Sequence, residues 1–346
     1  MSTSPLLEIK ELRIAFGRSH HSAVAVNNVS LDLGVGEVVG LVGESGSGKS
    51  LTCRSVIRMM PSSGLMTATE INFDGRDIMS LSPAQLREHR AHNVGMIFQD
   101  PFSCLDPTKR IGEQIAETLR VNAGLASATA HDRALELLRS VNIDKPEQRY
   151  RAYPHELSGG MRQRVMIAIA VSAKPKLLVA DEPTTALDVT TQAQILTLIK
   201  QLRAETGMSV LLVSHDFGVI AQVCDRVAVM YGGYVVEFGP VRDICTRPQH
   251  PYTRALLESI PSMESAGRHV RRAGILGQPP SLGDVVEGCP FASRCSFATP
   301  QCRSIEMTRR TVGEGHTSAC PFVGDDLVSQ GAGPIGRADS TEGDAS

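Results

Sequence analysis

The strongest constraint in this chain is the stretch Gly43-Glu-Ser-Gly-Ser-Gly-Lys-Ser50. It follows the apolar run Glu37–Val42 and opens a segment of helical character, Ser50–Met60, closed by Pro61. A buried strand, a glycine-rich turn and a helix in direct succession commit the fold to an α/β layer with a ligand site just beyond a strand end. Gly43, Gly48, Lys49 and Ser50 fill every fixed position of the phosphate-binding pattern, in the strand-to-helix setting that it requires.

The residue types suit a polyphosphate. Glycines let backbone amides curl around phosphate oxygens, and the start of a helix adds a favourable dipole. Lys49 offers a point charge to terminal phosphates, and the Ser50 hydroxyl can ligate Mg2+. The expected nucleotide-binding residues are Gly43, Glu44, Ser45, Gly46, Ser47, Gly48, Lys49, Ser50 and Leu51. An independent constellation lies at Lys176-Leu-Leu-Val-Ala-Asp-Glu182, an apolar strand ending in two adjacent carboxylates. Asp181 is placed to hold Mg2+, directly or through water, and Glu182 to orient and polarise an attacking water. Alone, an Asp-Glu pair is equally compatible with a solvated turn. Its place after a buried strand points to the same site as the glycine loop.

From Glu8 to about Gly239, short β-rich runs alternate with longer helical patterns. Lys176–Ala180 and Met208–Val213 are apolar runs of parallel-strand type. Between about residues 100 and 173 the strand signals fade, and a helical period dominates at Ala134, Leu135, Leu137, Leu138 and Val141. Past Pro240 prolines and glycines increase, and the polar stretch 324–346 is expected to be a disordered tail. With 346 residues and 42% apolar composition, one large domain plus a smaller appendage is expected. The balance of 35 basic against 37 acidic residues gives no single-sign field, so neither nucleic acid nor a lipid surface is expected as main partner. No apolar run approaches the roughly 18–20 residues that span a bilayer, and the N-terminus lacks a signal-peptide pattern. The chain is therefore expected in the cytoplasm, where its eight cysteines point to metal rather than to disulfides.

These residues resemble the ABC ATPase family, and the decisive stretch is Leu157-Ser-Gly-Gly-Met-Arg-Gln-Arg164, which is similar to that family's signature motif. A Ser-Gly-Gly segment opening a helix presents a hydroxyl, bare amides and a positive dipole end, suited to a γ-phosphate. The resemblance implies that Ser158, Gly159, Gly160 and Gln163 grip the nucleotide of the opposite subunit, so that ATP is hydrolysed only by a dimer. It also implies that Gln99, after Gly95-Met-Ile-Phe98, reaches Mg2+ and the attacking water and senses the membrane subunits. Asp188 in Ala186-Leu-Asp188 resembles the loop crossing the dimer interface, and His215 the switch histidine that contacts the γ-phosphate. The implied catalytic set is thus Glu182, His215 and Gln99, with Mg2+ held through Ser50, Gln99 and Asp181. Phe16 is the candidate for adenine stacking, with core packing as its alternative. Because Glu182 and His215 are both present, a hydrolytically competent half-site is expected.

Arg247-Pro-Gln-His-Pro-Tyr-Thr253, with Leu256, Leu257 and Pro261, resembles a hallmark of the peptide-importer branch, which carries dipeptide, oligopeptide, glutathione and nickel systems. Cys289, Cys295, Cys302 and Cys320 resemble that branch's C-terminal cysteines, which hold an iron–sulfur cluster. Their spacing suits four thiolates around a [4Fe–4S] cluster or zinc; the lack of closely paired cysteines favours the cluster, and four unligated buried thiols are the remaining alternative. Cys53, Cys104, Cys224 and Cys245 are assigned to packing.

The resemblance therefore implies an α/β fold: a P-loop NTPase sheet core of the ABC ATPase type, an inserted helical subdomain and a small Cys-rich C-terminal extension. Its expected divisions are 1–240 for the nucleotide-binding domain, about 100–173 for the helical part, and 241–323 for the extension. The implied activity is ATP hydrolysis coupled to uptake of dipeptides or oligopeptides, from the cytoplasmic face of the cell membrane. Implied partners are two permease subunits, a second and non-identical ATPase, and indirectly an extracytoplasmic substrate-binding protein. The competing readings are a soluble ABC ATPase of DNA repair or translation and a nonhydrolysing scaffold. Neither long coiled coils, a second cassette nor a basic stripe supports the first, and Glu182 with His215 disfavours the second.

Overall fold

The strand at Val38–Val42 is buried along its whole length, and the alternation of its side chains explains the two cores around it. In the computed structural model, which describes residues 4–17, 23–185, 187–259, 275–284 and 287–322, Val38 and Val42 face a helix-covered core. Val39 and Leu41 face a second core shared with an antiparallel sheet. The same division separates Leu178 and Ala180 from Leu177 and Val179, and Val210 and Leu212 from Leu211 and Val213. Strands buried on both faces have no polar side to display, which is why they read as unbroken apolar runs.

The chain begins with β1 (Leu7–Phe16) and β2 (Ala23–Leu33), enters β3 (Val38–Val42) and α1 (Lys49–Ser55), then adds β4 (Gly64–Thr67), β5 (Glu70–Phe73) and β6 (Arg76–Asp77). β1, β2, β4, β5 and β6 form the antiparallel sheet. After α2 (Pro83–Glu88), started by a Ser82–Gln85 capping box, β7 (Val94–Ile97) joins the main sheet. Then come α3 (Pro101–Cys104), α4 (Ile111–Ala123), α5 (Ser127–Ser140), α6 (Pro146–Tyr150) and α7 (Gly159–Val171). They fill the stretch expected to be helical and pack on one another; a Cβ at Gly112 of α4 would meet the Tyr150 ring of α6 at 2.0 Å.

β8 (Leu177–Asp181), α8 (Val189–Thr206), β9 (Ser209–Ser214), α9 (Phe217–Val223), β10 (Arg226–Tyr231) and β11 (Tyr234–Pro240) complete the sheet, followed by α10 (Val241–Thr246), α11 (Pro251–Glu258), β12 (Arg310–Gly313) and β13 (His316–Ser318). Strand order is β12-β13-β11-β10-β3-β9-β8-β7, parallel from β10 to β7 and antiparallel on the β11 side. α1 is shorter than the expected Ser50–Met60. Arg58 turns the backbone to φ 48°, and the Met59 N–H reaches back to the Arg54 carbonyl at 3.0 Å, closing the helix early.

One buried carboxylate ties the C-terminal residues to the sheet. Glu237 on β11 is fully buried; it accepts the Gln249 and His250 backbone N–H groups at 2.8 and 3.0 Å and lies 2.8 Å from His316 Nε2 on β13. His250 Nδ1 in turn accepts the Tyr252 N–H at 3.1 Å, starting α11. Burial pushes the His250 imidazole down to about 4, so it is neutral at physiological pH. The expected tail at 324–346 lies outside the described residues, as do Ala186 and the 18–22 segment.

Candidate functional site

Four neighbouring parallel strands, β3, β9, β8 and β7, end at one level, since Val42 pairs with Ser214, Asp181 with Val213, and Ile97 with Ala180. The residues just past these strands therefore meet at one edge of the sheet, where α/β folds gather ligands. The glycine loop comes after β3, Gln99 after β7 and His215 after β9, while Asp181 ends β8 and Glu182 follows it.

The loop between β3 and α1 can be built only from glycine at its two ends. Gly43 has φ 154° and a Cβ there would meet the Met230 carbonyl oxygen at 2.0 Å; Gly48 has φ 99° and would meet the Ala25 carbonyl at 2.8 Å. Lys49, nearly buried, donates to the Gly43 and Glu44 carbonyls at 2.8 Å each, and burial lowers its pKa. Its ammonium thus lies inside the loop, ready to exchange these carbonyls for phosphate oxygens. Ser50 Oγ donates to Asp181 Oδ1 at 2.7 Å. Asp181 is fully buried and, among the described residues, its Oδ2 has no hydrogen-bond partner; Arg54 Nη2 lies 4.0 Å away. Desolvation raises the Asp181 pKa. A buried carboxylate oxygen with an open valence beside a serine hydroxyl is the donor set that a small hard cation takes.

Next to it, one oxygen of Glu182 collects three groups. Gln99 Nε2 donates to Oε2 at 3.1 Å, Thr185 Oγ1 donates at 2.8 Å, and His215 Nδ1 lies 3.4 Å away. Glu182 also takes a positive φ of 49°, so the backbone itself is bent to aim the side chain. The structure thus brings Gln99, Glu182 and His215 together beside the glycine loop. Thr185 was not singled out from sequence, although a hydroxyl three residues after a carboxylate in a turn is a readable signal.

The signature residues sit on other elements. Ser158 caps α7, accepting the Met161 N–H at 3.3 Å, and Gly160 lets α7 pass α8, since a Cβ would meet Thr191 Cγ2 at 2.6 Å. Gln163 is buried with its Nε2 unpartnered. Asp188 caps α8 through the Thr191 N–H and hydroxyl at 2.9 and 2.7 Å, contacts that lower its pKa. α7 packs on β7, on α3, α4 and α5, and on α8, whereas α1 packs on β2, β8 and β9. Phe16 ends β1, half-buried against the second core with its ring against Gly64.

Cys289, Cys295, Cys302 and Cys320 line a single small cavity together with Phe291, Phe297 and Phe322. All four thiols are free, and burial pushes Cys289 up to about 11, Cys295 to about 12 and Cys320 to about 11. Among the described residues, however, no group of His, Cys, Asp or Glu is arranged to hold a metal ion. The expected cluster or zinc set is therefore gathered but not formed: the cavity is about 20 Å³, room for one water-sized sphere. The packing assignment holds for Cys53, buried in the second core, and for Cys224, partly buried against the helix-covered core; Cys104 and Cys245 are exposed and correct that expectation.

The fold and this edge define a nucleotide-binding cassette of the ABC type. The ABC transporter family profile matches residues 26–185, and the profile of the oligopeptide/dipeptide transporter C-terminal region matches residues 236–302. The oligopeptide transport ATP-binding protein OppD of Bacillus subtilis is 48% identical over 85% of this chain and 82% of its own length. OppD of Haemophilus influenzae is 43% identical over 92% of this chain and 97% of its own. A dimeric post-hydrolysis structure of the ATP-binding cassette MJ0796, bound to ADP and Pi, superposes with a TM-score of 0.60 at 29% identity, over 68% of this chain and 99% of that one. This chain belongs to the peptide-transporter ATP-binding proteins of the ABC family.

Proposed function

We propose that this chain is the ATP-hydrolysing subunit of an ABC importer for dipeptides or oligopeptides. The observation that carries the reading is the convergence of Gln99 and His215 on Glu182, beside a glycine loop and a buried carboxylate with an open valence. In this reading Gly43–Leu51 cradle the triphosphate and Lys49 turns from the Gly43 and Glu44 carbonyls to its terminal oxygens. Ser50, Asp181 and Gln99 would hold Mg2+, which supplies charge neutralisation to the β- and γ-phosphates. Glu182 takes the proton of the attacking water, and His215 and Gln99 hold that carboxylate in place. Ser158, Gly159, Gly160 and Gln163 act on the nucleotide of a partner ATPase, and Asp188 supports that contact; the Ser158-capped start of α7 supports the assignment. Phe16 stacks on adenine, supported only by its place at the end of β1.

The domain divisions are read as 1–240 and 241–323, with about 100–173 a helical subdomain. Among the described residues no helix is long and apolar enough to cross a membrane. The pore is accordingly assigned to two separate permeases, and the chain to the cytoplasmic face of the membrane beside a second ATPase. The four thiols are read as ligands of a [4Fe–4S] cluster, with zinc as the alternative. Four thiols lining one small cavity fit either in chemistry. Iron with absorbance near 400 nm marks the cluster; a colourless anaerobic protein with one zinc per chain marks zinc. Purification from detergent-solubilised membranes should recover two permeases and a second ATPase, and recovery of ribosomes or DNA in their place overturns the importer reading.

A further inference from the structure

Glu44 is the second residue of the glycine loop, and two side chains from far downstream hold it. Tyr252 Oη accepts the Glu44 backbone N–H at 2.9 Å. Arg294 grips the Glu44 carboxylate with both prongs, Nη1 to Oε2 at 2.6 Å and Nη2 to Oε1 at 3.0 Å. Its three remaining N–H groups go to Tyr231 Oη at 3.0 Å, the Leu276 carbonyl at 2.9 Å and the Ile275 carbonyl at 3.1 Å. All five guanidinium donors are engaged, and the side chain is only 5% exposed. A loose surface ion pair contributes little; a two-pronged pair with its guanidinium buried and its carboxylate only a quarter exposed fixes geometry.

The location gives the pair its meaning. Lys49 donates to the Glu44 carbonyl, so Glu44 lies where the lysine charge serves the terminal phosphates. A bare carboxylate there would repel a triphosphate more than a diphosphate. Arg294 cancels that charge, and it does so from the short turn Ala292–Arg294, between Cys289 and Cys295. Phe291 of the same stretch packs its ring on Tyr231 and Tyr252, at 5.2 and 5.3 Å between centroids, which braces the C-terminal residues against the loop.

We propose that Arg294 is a positioning residue of the nucleotide site: by neutralising Glu44 and fixing the glycine loop from the C-terminal extension, it sets the preference for triphosphate over diphosphate. The inference rests on the reading that Gly43–Leu51 bind Mg·ATP. The test is equilibrium binding of ATP and ADP, with Mg2+, to the full-length chain. Arg294→Met should weaken ATP about tenfold and ADP about threefold or less, more so at low salt. Adding Glu44→Gln to that variant should restore most of the ATP affinity, which a purely structural role of Arg294 would not do. Equal losses for ATP and ADP, no relief by Glu44→Gln, or unchanged affinities overturn the proposal. Where Arg294→Met does not fold, Arg294→Lys decides: the fork is lost and both affinities fall together, but the charge that opposes Glu44 is kept, so the ATP/ADP ratio should stay within about twofold of the parent, and its collapse overturns the proposal. Failure of the folded parent chain to bind ATP at all removes instead the reading beneath it.

Discussion

Replacing Glu237 with alanine tests how the C-terminal residues are held to the cassette. The fully buried carboxylate serves the half-buried Gln249 N–H and the buried His250 N–H and lies 2.8 Å from His316 Nε2, so its loss takes the acceptor from two buried groups, the His250 N–H and the His316 ring. Each unsatisfied buried group costs about 1–3 kcal/mol, at the upper end where the lost acceptor is a carboxylate. Allowing for relaxation and entry of water, Glu237→Ala should destabilise the protein by about 4 kcal/mol. Glu237→Gln retains an acceptor oxygen and should lose about 1–2 kcal/mol. Urea unfolding followed by tyrosine fluorescence is a direct assay. The chain has no tryptophan and five tyrosines, and Tyr231 and Tyr252 are buried beside this junction with ring centroids 4.6 Å apart. An unfolding free energy for Glu237→Ala within about 1 kcal/mol of the parent, at an unchanged denaturant slope, would refute the reasoning.

Glu182→Gln should leave ATP affinity within about threefold while cutting phosphate release by at least about 100-fold, as loss of a general base does; undiminished turnover removes Glu182 from that role. His250, pushed down to about 4 by burial, is titrated near 6.5 in the unfolded chain, so the unfolded state binds the extra proton between those values. Its contribution of about 3 kcal/mol is therefore complete above about pH 6.5 and lost as the pH falls towards 4. His250→Asn, which keeps an acceptor for the Tyr252 N–H, should flatten that slope, and an undiminished slope assigns it elsewhere. At pH 8, iodoacetamide followed by mass spectrometry should label the exposed Cys104 and Cys245 at least about tenfold faster than the less accessible Cys289, Cys295 and Cys320; burial raises the pKa of all five thiols, so access sets the difference together with the larger shifts of the latter three. Comparable rates, after removal of any bound metal, would contradict the burial described.

What could be read from residues alone was whatever is local. The glycine loop, the Asp181–Glu182 pair and the Ser158 helix start each occupy a few consecutive positions, and strand burial on two faces leaves unbroken apolar runs in view. Gln99 and His215 were reached through resemblance, and the level strand ends explain why they meet Glu182. Contacts between distant stretches were not legible. Glu44 and Arg294 stand 250 positions apart, and no periodicity links a loop carboxylate to an arginine beside a cysteine. The early end of α1 depends on Arg58 adopting a left-handed turn, which side-chain patterning does not signal. Exposure of Cys104 and Cys245 was likewise invisible, because a lone small residue carries no face.

The covering of β11 by β13 has a consequence for synthesis. Glu237 and His316 are separated by 79 residues, so at roughly 5–20 residues per second the ribosome needs about 4–16 s to supply the second after the first. During that interval the edge of β11 that β13 later covers offers an unpaired backbone ladder to any neighbouring nascent chain, although Gln249 and His250 reach the Glu237 carboxylate early. A message truncated within that window yields a polypeptide with its phosphate loop in place and an adhesive flank, a natural substrate for chaperones.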